Sequence, residues 1–85
     1  MPTTEPLTAK AIRPTADELI IELEGQDVSI AWERCSRRLA SATAEQRTRA
    51  ELSPGGYGIH WPLIDEDLTI GGLMRRAERS RRGSE

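Results

Sequence analysis

The 85-residue chain is poor in the residues that most often carry chemistry, with one cysteine, Cys35, and one histidine, His60. A lone cysteine excludes an internal disulfide and any zinc site built on several thiolates. A lone histidine deprives a catalytic zinc site of its usual ligands. Phe is absent, and two Trp and one Tyr are the whole aromatic complement. With 36% apolar residues, the core must be small and built from Leu, Ile, Val, Ala and those three rings. No apolar run approaches the ~20 residues of a membrane span. The polar opening MPTTEPLTAK lacks the apolar segment of a secretory signal. The expectation is a cytoplasmic protein with no membrane association. A chain this short is easier to stabilise in a complex, so a protein partner or a homo-oligomer is expected.

Charge is present but unevenly spread. Residues 1–74 carry seven Lys/Arg against twelve Asp/Glu, a balance of −5, and residues 75–85 carry five Arg against two Glu, a balance of +3. This reads as one acidic domain over 1–75 followed by a basic tail, 76–85, that frays. The tail is the segment through which nucleic acid could be bound.

Hydrophobic periodicity supplies the fold class. A weak strand signal over Thr8–Pro14 precedes DELIIELE, where Leu19, Ile21 and Leu23 alternate with Glu18, Ile20, Glu22 and Glu24. Val28, Ile30 and Trp32 repeat the pattern beyond a Gly25 turn, which predicts an antiparallel hairpin. Trp32, Cys35 and Leu39 then recur at helical spacing, predicting a helix over Glu33–Ala40. TAEQ, Thr43–Gln46, is a capping box that opens a second short helix. Pro54, Gly55 and Gly56 interrupt the chain between a short strand at Glu51–Ser53 and a strand at Tyr57–Trp61 that Pro62 ends. Tyr57, Ile59 and Trp61 share the inward face, and Gly58 and His60 the outward one. After an acidic loop at Asp65–Asp67, Thr69 caps a last helix with Leu73, Met74 and Ala77 inside. The predicted fold is a small α+β domain with one antiparallel sheet of four to five strands.

Three constellations could carry chemistry. His60 with Asp65, Glu66 and Asp67 has metal-ligand and acid–base residue types, but the spacing fits neither a zinc nor a calcium site. These four read as possible partner contacts beside a solvated turn. Gly55, Gly56 and Gly58 precede a strand rather than a helix, so a phosphate loop is not expected; with Tyr57, Ile59, Trp61 and Pro62 they read as a structural corner. Arg34, Arg37 and Arg38 on the first helix could meet phosphates or an acidic protein. No catalytic set, cofactor motif or metal site is expected.

The segments LASATAEQR, ELSPGGYGIHWPLIDEDLTIGGLMR and VSIAWERCSRRL resemble the bacterial domain of unknown function 2442 family. The resemblance runs over about Asp17–Arg75, and the GYGIHWP and DED residues, Gly56–Pro62 and Asp65–Asp67, carry it. It implies a small α+β domain and no established reaction. Some members of that family are fused to a helix-turn-helix domain, for which this chain is too short. Others are encoded beside another small uncharacterised family, in pairs proposed as toxin–antitoxin modules. The resulting expectation is a non-enzymatic binding or regulatory module, antitoxin-like, facing a small basic toxin-like protein. The alternative is a nucleic-acid-binding transcriptional regulator using the Arg-rich helices and tail, and an enzyme is the remote third.

Overall fold

The computed structural model describes residues 8–83, with side chains placed through residue 77. The opening heptapeptide, Ser84, Glu85 and the side chains of 78–83 lie outside the described residues. The expectations for the N-terminal segment and for most of the basic tail fall there.

The hairpin forms where alternation predicts it. Strands β1 (Ala11–Pro14), β2 (Glu18–Leu23) and β3 (Gln26–Ala31) make an antiparallel meander in the order β1-β2-β3. Leu19 lies opposite Ile30 and Ile21 opposite Val28. Gly25, at φ 86°, takes the left-handed position of the tight β2–β3 turn. Thr15 closes the β1–β2 connection by accepting from Glu18 N and donating to Glu18 O.

Helical spacing is real after β3, but one helix becomes two. Trp32–Cys35 (α1) and Arg37–Ala40 (α2) are separated at Ser36, whose backbone is extended at φ −171° and ψ 163°. The Ser36 hydroxyl accepts from Leu39 N at 3.1 Å. A serine that offers the backbone this bond favours a cap over a helix interior, which is why the expected continuous helix breaks. The break leaves Trp32, Cys35 and Leu39 all buried. Helix α3 (Ala44–Thr48) opens on the predicted capping box: Thr43 accepts from Gln46 N, and the Gln46 side chain accepts from Thr43 N.

A second antiparallel meander follows, β4 (Glu51–Leu52), β5 (Gly58–Trp61) and β6 (Glu66–Thr69), in the order β4-β5-β6. The α+β class and antiparallel sense are therefore as expected, but the strands divide into two sheets of three. Helices α1–α3 separate the two sheets along the chain, and β3 and β6 both contact the final helix α4 (Ile70–Gly83). Of the acidic loop expected at Asp65–Asp67, Glu66 and Asp67 belong instead to β6, and only Asp65, at φ 53°, keeps a turn conformation. The expected boundary between 75 and 76 falls inside α4. Thr69 caps this helix as predicted, accepting from Gly72 N at 3.0 Å.

The register of β5 is the predicted one, with Ile59 and Trp61 buried and Gly58 and His60 half-buried on the other face. Tyr57 departs from the pattern: it is 51% exposed rather than in the core. A 3₁₀ turn at Pro54–Gly56 leads into Tyr57, whose φ −85° and ψ −23° are not those of a strand, so the alternation starts at Gly58. One cluster draws Leu19, Ile21 and Ile30 from the first sheet, Ile59 and Trp61 from the second, and Trp32, Cys35, Leu39, Ile70 and Leu73 from the helices. At its centre Trp32 and Trp61 meet edge to face, 6.3 Å between centroids at 82°.

Candidate functional site: the outer face of the second sheet

Burying Ile59 and Trp61 turns the alternate residues of β5 outward. Register places Glu51, His60 and Asp67 in one row across the three strands. His60 Nδ1 lies 2.7 Å from Asp67 Oδ1. An ionised carboxylate only accepts, so Nδ1 is the donor in this contact. The two side chains are 38% and 74% exposed, so water screens the pair. Gly58, without a side chain, opens a shallow cleft of about 190 Å³ beside the row, lined also by Ser53 and Thr69. The Ser53 hydroxyl is engaged in the fold, accepting from Gly58 N at 2.9 Å. Among the described residues no three His, Cys, Asp or Glu side chains converge as a metal-binding group.

The other predicted contact residues are distributed differently. Asp65 is exposed at the turn before β6. Glu66 pairs in register with buried Trp61, so it faces the opposite side of the sheet, with its side chain only 18% exposed and 4.0 Å from Arg38 Nε. Arg38 also donates to Ile64 O at 3.1 Å, tying α2 to the β5–β6 turn. Arg34 and Arg37 are exposed on α1 and α2. Pro62 and Leu63 are exposed in the turn after β5. The structure thus brings His60 and Asp67 together with Glu51, leaves Asp65 in the β5–β6 turn, and gives Glu66 and Arg38 to a separate contact.

Two residues that composition did not distinguish hold the domain together. Arg47 Nε and Nη2 donate to Leu39 O and Ala40 O at 3.0 and 2.9 Å, which satisfies carbonyls at the end of α2. Its guanidinium stands 5.8 Å from the centre of the Trp32 ring, and its carbonyl accepts from Trp61 Nε1 at 3.1 Å. Arg76 donates to Cys35 O and so ties α4 to the end of α1. The sequence signal for Arg47 is its place one residue past the capping box; nothing local marks Arg76.

Cys35 is buried, and desolvation pushes its thiol up from 9.0 to about 12, with Arg76 opposing and Glu33 adding to the shift. A thiol reagent at pH 8 is therefore expected to leave the folded protein unmodified and to react once urea unfolds it. The sign of the linkage follows. Above pH 9 the unfolded chain loses the Cys35 proton while the folded chain keeps it. Stability is intact below that value and falls as pH rises toward about 12. In Cys35→Ala this contribution to the alkaline decline should vanish in a comparison of urea midpoints across that range.

Two antiparallel meanders around a core of helices and paired tryptophans, with an acid–His–acid row on one open sheet face, define a small α+β domain. The profile of the family described as Protein of unknown function (DUF2442) matches residues 9–79, and the chain belongs to that family. A solved structure similar to it is the crystal structure of a protein of unknown function from Rhodospirillum rubrum ATCC 11170, at TM-score 0.72 and 28% identity, covering 84% of this chain and 88% of that one. No curated protein matches. Among the described residues no helix is long and apolar enough to cross a membrane.

Proposed function

We propose that this chain is a non-enzymatic protein-binding module, the antitoxin-like member of a two-protein bacterial system, whose partner is a small basic protein. The observation that carries the reading is the Glu51–His60–Asp67 row, with Asp65 exposed in the turn that leads into β6. Two carboxylates flanking one half-buried His, and a third in the adjoining turn, give this side of the domain an acidic field. Such a field steers and orients a basic partner more than it adds to raw affinity. The acidic balance of residues 1–74 works in the same direction.

The test is co-expression with the product of the neighbouring gene, followed by capture on a tag carried by this chain. Wild type should retain that product, and Asp65→Lys with Asp67→Lys should retain about tenfold less, as expected for reversal of steering charges. The double variant should stay within about 1 kcal/mol of wild type in urea unfolding, since exposed ion pairs contribute little. Equal retention by both proteins would sink the proposal. A second reading, binding of nucleic acid, is supported by the exposure of Arg34, Arg37 and Arg38. It requires salt-sensitive DNA or RNA binding that Arg37→Glu with Arg38→Glu removes.

A further inference from the structure

The hydrogen-bond phase of the second sheet identifies which backbone groups have no strand beside them. Ser53 N donates to Gly58 O at 2.8 Å, and Ile70 N donates to Tyr57 O at 2.9 Å. Antiparallel ladders alternate bonded and non-bonded pairs. Gly58 and His60 therefore bond toward β4, and Ile59 and Trp61 bond toward β6. On β6 it is Glu66 and Leu68 that face β5, while the N–H and C=O groups of Asp67 and Thr69 point away from the sheet.

Among the described residues the two sheets have four edges, and two of them are blunted. Pro14 in β1 has no N–H, and β4 is two residues long. Of the other two, β3 and β6, both of which contact α4, it is β6 that carries the acidic row. Asp67 and Thr69 on it are exposed.

Resting on the protein-binding reading above, we infer that β6 is the docking edge, and that the partner adds an extended strand to it whose residues alternate basic and apolar. A strand bonded to Asp67 places its own side chain beside the Asp67 carboxylate on the outer face. That extends the row Glu51–His60–Asp67 by one position, which only a cation suits. The neighbouring residue of the added strand falls on the inner face next to Leu68, which is half-buried and packed against the core. An apolar side chain there covers the exposed part of Leu68. The register on β6 thus asks for a basic residue at Asp67 and an apolar one at Leu68. A second copy paired with Asp67 opposite Asp67 would set like charges against one another, whereas a basic strand meets no such repulsion. Backbone pairing supplies affinity, and the alternating side chains supply selectivity.

The experiment is amide hydrogen exchange on the isotopically labelled full chain, alone and with a short capped peptide in which Lys and Val alternate. Alone, the amides of Asp67 and Thr69 should exchange fast while those of Ile59, Trp61 and Leu68 are protected. With the peptide, Asp67 and Thr69 should slow by about tenfold or more, and their neighbours should change little. The same peptide with Glu for Lys should leave them fast, and so should the Lys/Val peptide added to Asp67→Lys, whose fold is checked by its unchanged Ile59 and Trp61 amides. Peptide binding that leaves the Asp67 amide fast overturns the edge, as does protection that appears along β3 or β1 instead. No change on adding the peptide at millimolar concentration overturns it too. The outcomes separate the two proposals. If the neighbouring gene's product is retained while Asp67 stays unprotected in that complex, the binding reading stands and the edge fails. If the peptide protects the edge but the product is not retained, the edge stands and the antitoxin-like reading fails.

Discussion

Replacing Trp61 with Ala is expected to destabilise the domain by about 3–5 kcal/mol, the range for truncating a large aromatic in a packed core. A chain of this length has a total stability on the order of 5–10 kcal/mol, so the variant should lose between about a third and all of it, with a matching fall in the urea midpoint. Three losses combine. The ring is fully buried, so its removal leaves a cavity between the second sheet and the helices. The edge contact with Trp32 goes, at about 0.5–1.5 kcal/mol. The bond from Trp61 Nε1 to Arg47 O goes as well. Trp61→Phe keeps most of the apolar volume and loses chiefly that bond, so it should lose only about 1–2 kcal/mol. Urea unfolding followed by circular dichroism reads both. A wild-type midpoint for Trp61→Ala would mean that the ring serves recognition and not the core.

Gly56→Ala is expected to be the most damaging change that removes no side chain, at about 2–5 kcal/mol from backbone strain and overpacking together. Gly56 sits at φ 78°, where a side chain is strained by itself. A Cβ there would also lie 2.3 Å from the carbonyl oxygen of Ala9. Neither backbone can easily retreat, because Ala9 N donates to Gly56 O at 2.8 Å. Gly25 provides the control. Its φ is 86°, but a Cβ added there meets nothing within 4 Å. Gly25→Ala should therefore cost only the conformational part, about 1–2 kcal/mol. The difference between the two urea midpoints measures the close approach of the N-terminal segment to the glycine turn. Equal losses would show that the approach contributes nothing.

These two residues bracket what the sequence makes legible. The first hairpin is legible because Leu19, Ile21, Val28 and Ile30 recur at a period of two, and of these Leu19, Ile21 and Ile30 are buried and Val28 packs against the core. The capping box at Thr43 and the cap at Thr69 were readable because each depends on residues within a few positions. Features set by partners distant in sequence were not. Strand β6 begins Glu66-Asp67, residues that locally favour a turn, and it becomes a strand through pairing with β5. Tyr57 looked like a core residue by spacing, but positive φ at Gly55 and Gly56 resets the phase of the chain before it. Ser36 divides a helix that apolar periodicity joins.

The candidate site shows the same division. His60 and Asp67 were each identifiable by residue type. Their pairing at 2.7 Å depends on the register of a strand the sequence did not reveal. Glu51 joins them only because β4 pairs with the other side of β5. Glu66 leaves them for the same reason in reverse, since a period of two turns it toward Arg38. Arg47 is one of several arginines in composition, and its role comes from carbonyls seven and eight positions back together with a tryptophan ring.

The central claim is that the outer face of the second sheet is where this domain meets a protein. Chemical-shift mapping tests it most directly. The isotopically labelled chain is titrated with the unlabelled product of the neighbouring gene, and the perturbed amides are read by residue. The account predicts that the largest changes fall on Glu51, His60, Asp65, Asp67 and Thr69, with Arg34, Arg37 and Arg38 little affected. Changes centred on Arg34, Arg37 and Arg38, with Glu51, His60 and Asp67 unmoved, would contradict it.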